Sequence, residues 1–432
     1  MKAIIVETLP NSINKKKTAY NTTTSNNPRT SYLLFLFLLF LTLIPLSLIN
    51  DLRLPFVRNV VEEKQPSCDV FAGKWVYQND SSFEPYYTNS TCREIYDQLN
   101  CMKFGRPDSD FLRWKWQPDG CELARFDAGL FLENMRNNAM AFVGDSVGRN
   151  QMQSLICLLS SVTYPVDQSE NYTTDIINNR RWYYTEYNFT LAMMWAPYLV
   201  KVRDEASTTG QRSFGNIMMQ LDLDRPSESW ATQIKDFDYV IVSAGQWFFR
   251  PLIFYMDDVP VSCHLCQLDN VTTENTFYGY KMAFRMTFKA ILGLENYKGV
   301  TFLRTFSPSH FENGEWDKGG NCPRTKPYAD DEASLEGYIF EMYMSQMREF
   351  RAAEEIAKDN GLEFRLLDTT RAMIMRPDGH PNHYGHSPMA KKSVPDCVHW
   401  CLPGPIDTWN EFLQEMIINK KMVRVPYIQM MQ

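Results

Sequence analysis

Basic residues are in the minority: 44 Lys and Arg face 51 Asp and Glu, a net charge of −7 over 432 residues. Affinity for nucleic acid rests on clustered Lys and Arg, so a nucleic-acid partner is excluded. Histidine is scarcer still, six in all, which leaves few choices for a base or a metal ligand. No internal repeat runs through the chain. With 44% apolar and 22% charged residues, and only 20 glycines, collagen, coiled coil and wholesale disorder are also excluded. Cysteine is missing from the first 67 residues, and all ten follow later. The length suits two or three domains.

One long apolar run is present. Tyr32 to Ile49, YLLFLFLLFLTLIPLSLI, is eighteen residues without a charge, near the lower limit for a helix crossing the hydrocarbon core. A cleaved signal would end on small residues, and Asn50, Asp51 and Leu52 are poor substitutes. Lys2, Lys15, Lys16, Lys17 and Arg29 precede the run against Glu7 alone, so the positive-inside rule predicts a cytosolic tail over 1–31. Residues 32–49 are then a single-pass signal anchor, and everything beyond is lumenal. The cysteines agree: Cys68, Cys92, Cys101, Cys121, Cys157, Cys263, Cys266, Cys322, Cys397 and Cys401 all lie past it. An even number on the lumenal side suits a disulfide framework, with its pairing left open. N-x-S/T acceptors stand on that side at Asn79, Asn89, Asn171, Asn188 and Asn270, while Asn21 falls in the cytosolic tail.

Residues 50–66, charged and proline-bearing, read as a stem. A segment over 67–121 holds four cysteines and several aromatic clusters, and reads as a small stapled module. Beyond it, strands and helices alternate. Strands are predicted at Ala139 to Val143, Tyr239 to Ser243, Val300 to Phe306 and Glu363 to Asp368, and helices at Gln151 to Leu159 and Glu332 to Asn360. Asn360-Gly361 is a C-terminal stop for the second helix. Such alternation implies a parallel sheet covered on both faces, an α/β sandwich of about 300 residues.

The chemistry starts at Phe142-Val143-Gly144-Asp145-Ser146-Val147-Gly148-Arg149-Asn150, which runs from a strand through a glycine turn into a helix. Ligands of open α/β sheets gather at the carboxyl ends of strands, and a helix start offers N–H donors to an oxyanion. Ser146 is thus a candidate nucleophile, or else merely the cap of its helix. A serine needs a base, and His264, His310, His380, His383, His386 and His399 are the choices. His399 lies three residues after Asp396, which places a carboxylate where it can hold Nδ1 while Nε2 faces the serine.

Other patterns in the chain compete with this reading. Gly144 to Gly148 also matches the G-x-S-x-G elbow of α/β-hydrolases, but those draw acid and histidine from separate loops. Cys263-His264-Leu265-Cys266 and Cys397-Val398-His399-Trp400-Cys401 carry zinc-like ligands, yet in a lumen such cysteines are more often disulfide ends. His380, His383 and His386 occupy a turn-rich loop and read as loop or substrate contacts. No metal is expected.

GDSVGRNQ at 144–151, RTFSPSHFENGEWDKGGNC at 304–322, RPDGHP at 376–381 and DCVHWCLPGPIDTWNEFL at 396–413 resemble the plant trichome birefringence-like family, in order and from about Cys68 to Asn419. NCMKFGRPDSDFLRWKWQPDGC resembles that family's cysteine-rich N-terminal module, over 67–121. The rest resembles its esterase-like catalytic domain, over 122–419, with a C-terminal tail at 420–432. The resemblance implies a GDSL/SGNH-like three-layer α/β sandwich and a Golgi type II membrane protein that O-acetylates a cell-wall polysaccharide. Ser146 would be the nucleophile, His399 the base and Asp396 its orienter. Gly245, Arg149 and Asn150 would supply oxyanion or substrate contacts. Gln246 and Phe248 replace a histidine and a tryptophan seen in many relatives.

The run MQSLICLLSSV after the serine is similar to the xyloglucan-acetylating branch, so xyloglucan leads as acceptor, ahead of xylan, mannan and pectin. No bound cofactor is expected, only an acetyl donor such as acetyl-CoA or a derived donor. An acetyl esterase and a non-catalytic polysaccharide binder are the alternatives. Trp247, Trp316, Trp400 and Trp409 lie in or beside the motif loops as candidate sugar contacts, or as core.

Overall fold

The computed structural model describes residues 68–203, 218–266, 276–329, 331–387, 389 and 394–419. The predicted tail, membrane anchor, stem and C-terminal tail, and the acceptor Asn270, lie outside them. Among the described residues no helix is long and apolar enough to cross a membrane.

The chain opens with strands β1 (Gly73–Tyr77) and β2 (Trp114–Pro118), paired antiparallel, and helix α1 (Ala128–Asn134). Next come β3 (Ala139–Gly144), α2 (Ser146–Leu159), β4 (Val166–Asp167), β5 (Arg180–Tyr184), β6 (Phe189–Trp195), β7 (Val200–Val202) and β8 (Met219–Pro226). They are followed by α3 (Glu228–Ala231), β9 (Tyr239–Ser243), β10 (Leu252–Met256), β11 (Val259–His264), α4 (Thr276–Leu292) and β12 (Val300–Arg304). Last are α5 (Gly337–Asp359), β13 (Glu363–Leu367), α6 (Thr370–Ile374) and α7 (Asp407–Ile418).

The main sheet has seven strands in the order β13-β12-β9-β3-β6-β5-β4. From β13 to β6 every neighbour is parallel, while β5 and β4 extend the edge antiparallel. The sheet is therefore mixed at one edge rather than parallel throughout, because β5 and β6 are joined by a tight turn that can only reverse the chain. A second, four-stranded sheet, β11-β10-β8-β7, was not foreseen.

Alternation along the central strands builds three layers. Met140, Phe142, Leu191, Met193, Ile241, Phe302 and Leu367 face one core, with Leu155 and Ile156 of α2 and Phe412 and Leu413 of α7. Ala141, Val143, Met194, Val240, Val242 and Leu303 face the other, with Phe284 and Phe288 of α4 and Phe350 of α5. This period of two is what a strand covered on both faces requires. Each fully buried Leu or Phe stabilises the fold by roughly 1.5–3 kcal/mol relative to exposure.

Helix α5 ends as predicted. Gly361 has φ 71°, Gly361 N–H donates to Lys358 O at 3.3 Å, and Leu362 N–H to Ala357 O at 2.8 Å, the paired bonds of a Schellman stop. Helix α2 begins at Ser146, five residues earlier than predicted, because Asp145 caps it.

The cysteine-rich segment belongs to the same compact unit as the sheet. Only Cys68–Cys121 closes within it. Cys92 pairs with Cys157 of α2, and Cys101 with Cys401 at a separation of 300 residues. Trp75 donates through Nε1 to Ala372 O at 2.7 Å, Tyr87 OH to Asp407 at 2.6 Å, and Phe71 packs edge-on against Phe412. Cys263–Cys266 and Cys322–Cys397 complete the set, leaving no free cysteine. The zinc-like clusters are therefore disulfide ends.

Candidate active site

β3 sits where the strand order turns, with β6 on one side and β9 on the other, so its carboxyl end opens into the crevice where ligands bind in such sheets. Gly144 ends the strand against β9: a Cβ there would stand 1.5 Å from the Ser243 carbonyl oxygen. Asp145 is extended and caps α2, its Oδ1 accepting from Val147 N–H at 3.0 Å and from Gly148 N–H at 3.4 Å. Such a cap is worth about 1 kcal/mol. Because Asp145 fills this role, Ser146 is not the cap, and its side chain is left for other work.

Ser146 Oγ lies 2.7 Å from His399 Nε2, and His399 Nδ1 lies 2.8 Å from Asp396 Oδ2. The other carboxylate oxygen of Asp396 accepts from Val398 N–H at 3.1 Å and His399 N–H at 3.0 Å. Burial favours the neutral acid, but the imidazole and these donors hold the Asp396 carboxyl well below the usual carboxylate range. Burial likewise disfavours a charged His399, and the carboxylate at Nδ1 overrides it, so its pKa is raised above the ordinary imidazole value. The three candidate residues thus meet from positions 253 and 3 residues apart in the sequence.

The turn carrying His399 has no regular secondary structure. Cys397 is tied to Cys322 and Cys401 to Cys101, so disulfides flank His399 two residues away on either side. Asn150 of α2 clamps the next residue: its Oδ1 accepts from Trp400 N–H at 2.7 Å and its Nδ2 donates to Trp400 O at 3.2 Å.

Three expected contacts look different in place. Asn150 is fully buried with both polar ends on the Trp400 backbone, so it positions the turn and does not reach an oxyanion. Gly245 N–H donates to Asp145 Oδ2 at 2.9 Å, so it is spent inside the protein. Arg149 is half-buried one turn from Ser146, its guanidinium 5.2 Å from the Trp195 ring and 5.7 Å from the Tyr96 ring. Ser146 N–H opens the helix, where no intrahelical acceptor exists.

Of the tryptophans, Trp400 and Trp409 are fully buried core. Trp247 is half-buried, edge-on to Trp195 at 5.5 Å and covered by Arg250; Trp316 is 48% exposed. His380, read as a loop or substrate contact, is instead buried and stacked on Trp400, because the RPDGHP loop folds inward. His383 is exposed, and His386 donates through Nε2 to the Val394 carbonyl, 3.3 Å away. Asn79, Asn89, Asn171 and Asn188 are all exposed. Among the described residues no three His, Cys, Asp or Glu side chains converge as metal ligands.

Sequence reasoning missed Asp145, Trp195 and Tyr96. An aspartate just before a helix was a readable capping signal; the two aromatics arrive from β6 and a distant 3₁₀ turn, and no local pattern announced them.

The sheet, with Ser146, His399 and Asp396 in contact at the end of β3, fits an SGNH-like acyl-transferring enzyme. Residues 123–416 match the GDSL/SGNH-like Acyl-Esterase family found in Pmr5 and Cas1p, and residues 66–122 match the PMR5 N terminal Domain. The chain belongs to the trichome birefringence-like family. It is 50% identical over 364 residues to protein trichome birefringence-like 19 of Arabidopsis thaliana, covering 84% of this chain and 83% of that protein. It is 44% identical over 353 residues to xyloglucan O-acetyltransferase 4 of Populus trichocarpa, covering 81% of each. With xyloglucan O-acetyltransferase 2 of Arabidopsis thaliana it shares 43% identity over 82% of this chain and 83% of that protein.

Proposed function

We propose that the chain is a polysaccharide O-acetyltransferase that passes an acetyl group through Ser146 to a sugar hydroxyl, with xyloglucan as acceptor. The observation that carries this reading is the continuous chain Ser146 Oγ–His399 Nε2, His399 Nδ1–Asp396 Oδ2 at 2.7 and 2.8 Å. His399 takes the Ser146 proton as Oγ attacks the acetyl carbonyl of the donor. The tetrahedral intermediate collapses, the donor's leaving group departs with that proton, and acetyl-Ser146 remains. A sugar hydroxyl then gives its proton to His399 and attacks the ester; collapse releases the acetylated sugar and returns the proton to Ser146.

Ser146 N–H is the backbone donor for both oxyanions, and Arg149 beside it is the side-chain donor or substrate contact. Gly245 drops out of that role because its N–H is bonded to Asp145, and Asn150 because it is fully buried with both amide ends on the Trp400 backbone. Trp195 and Tyr96 around Arg149, with Trp247 edge-on to Trp195, supply aromatic faces against which sugar rings pack. The relatives named for xyloglucan support that acceptor over xylan, mannan or pectin. Acetyl-CoA or a derived donor supplies the acetyl group. Residues 32–49 anchor the chain in the Golgi membrane with the catalytic part lumenal, and glycans occupy the exposed acceptors among Asn79, Asn89, Asn171 and Asn188.

The test is mass spectrometry of xyloglucan oligosaccharides after incubation with acetyl-CoA and the full chain, wild type beside Ser146→Ala. Acetyl added by wild type alone supports the reading. Acetate released from pre-acetylated polymer, with no transfer to any acceptor, would make the chain an esterase instead.

A further inference from the structure

Two histidines outside the triad end on the base itself. His310 and His380 are 8% and 2% exposed. His310 Nδ1 lies 2.7 Å from His380 Nε2. Their outer nitrogens face backbone carbonyls: His310 Nε2 lies 2.9 Å from Ile374 O, and His380 Nδ1 lies 2.7 Å from His399 O. The arrangement is carbonyl, imidazole, imidazole, carbonyl, and its last member belongs to the His399 peptide.

Counting protons decides its state. A carbonyl oxygen only accepts, so each outer nitrogen must carry a proton, and the central N···N contact needs a third. Two neutral imidazoles bring two. A neutral pair would leave one contact with lone pairs opposed at a buried position, where an unmade hydrogen bond is destabilising. Three protons satisfy every contact and give the pair one positive charge. Burial pushes both rings toward neutrality, and His310 pushes His380 further down, so the hydrogen bonds hold the one shared charge against burial and leave no room for a second.

The surroundings accept one charge. His380 stacks on the Trp400 indole, centroids 4.1 Å apart and planes 25° from parallel, a face that attracts a cation. Asp396 and Glu312 favour the charge, while His399 and Arg324 oppose it. Arg106 donates to the His380 carbonyl at 3.0 Å, Asp378 is paired with Arg376, and the Tyr328 ring lies 6.0 Å from that of His310.

We infer that His310 and His380 are positioning residues that share three protons and hold the His399 peptide, so that the base meets Ser146. The inference rests on the reading of His399 as the base. It differs from a packing role in carrying a charge beside that base.

The first test needs no variant. Nitrogen NMR of the full chain with ¹⁵N-histidine, assigned with His310→Asn and His380→Asn, counts the protons on the two rings at neutral pH. Three protonated nitrogens are expected; two would overturn the shared charge. The second test is kinetic. His380→Phe keeps the stacked ring and removes both nitrogens. It should lower kcat by about 10–10²-fold through misplacement of the base, with KM within about twofold. It should also move the acid limb of the kcat/KM profile to higher pH, because a like charge near His399 has gone. Unchanged kcat would overturn the positioning role, and an unmoved limb would overturn the shared charge. Transfer that persists in His399→Ala would instead sink the reading of the base, leaving the proton count as an independent result.

Discussion

Ser146 stands at the junction of a strand and a helix, whereas His399 stands in a turn with no regular structure. The serine half is held by the backbone: Gly144 packed against β9, Asp145 bonded to three N–H groups, and α2 behind it. The histidine half is held by side chains and covalent bonds, with disulfides at Cys397 and Cys401, Asn150 on the Trp400 backbone, and His380 on the His399 carbonyl. A helix start fixes its own geometry through repeated local hydrogen bonds. An irregular turn has none to spare, so its geometry must be imposed from outside. The two halves should therefore fail differently when perturbed.

The largest effect falls where they meet. Ser146→Ala and His399→Ala should each lower the transfer rate by about 10⁴–10⁶-fold, with thermal unfolding unchanged in Ser146→Ala and lowered in His399→Ala, which leaves the Asp396 carboxylate without its partner, as initial rates and calorimetry will read. Comparable losses from both would show that the halves act as one unit.

Disulfides sharpen the contrast. Replacing Cys101 and Cys401 together by serine should cost about 2–5 kcal/mol of stability, measured by denaturant unfolding, and should lower kcat at a temperature where the variant remains folded. Replacing Cys92 and Cys157 should cost stability on the same scale and leave kcat near wild type, because Cys157 lies at the far end of α2 from Ser146. Equal damage to kcat from both pairs would erase the distinction.

Asn150→Ala should cost about 1–3 kcal/mol, since it leaves the buried Trp400 N–H and carbonyl unpaired. Its effect on rate should appear in kcat rather than KM, the mark of a misplaced base and not of a lost substrate contact.

The smallest effect is a displacement in pH. Asp396 raises the His399 pKa against the pull of burial, so the acid limb of kcat/KM should lie above the ordinary imidazole value of 6.5. The stability this pKa confers is fully present below 6.5 and fades as pH rises through the raised folded value. Rate and this part of stability thus move in opposite directions over one window. In Asp396→Asn the residual activity should show its limb at lower pH, and the stability slope should flatten. A limb that stays in place would assign the pKa to another neighbour.

Legibility followed the same division. The strand at 139, the glycine turn and the start of a helix lie within a dozen residues, where steric and capping rules act directly. Asp396 and His399 were legible as a pair because three residues bring two side chains to one turn. The fates of Gly245 and Asn150 were not legible, since each donor was claimed by a group about 100 or 250 residues away. His380 was misread for a related reason: a proline- and glycine-bearing loop signals exposure, yet this one is drawn in by Arg106, which donates to the carbonyls of Asp378 and His380.

The sequence by itself determined the central alternation of strands and helices, the capped serine corner and the carboxylate–histidine pair, because covalent spacing sets those local geometries. Tertiary structure alone decided which cysteines pair, which N–H groups stay free for an oxyanion, and that two buried histidines end on the peptide of the base. Those outcomes depend on which donors and acceptors meet across the folded core, and chain separation carries no record of that.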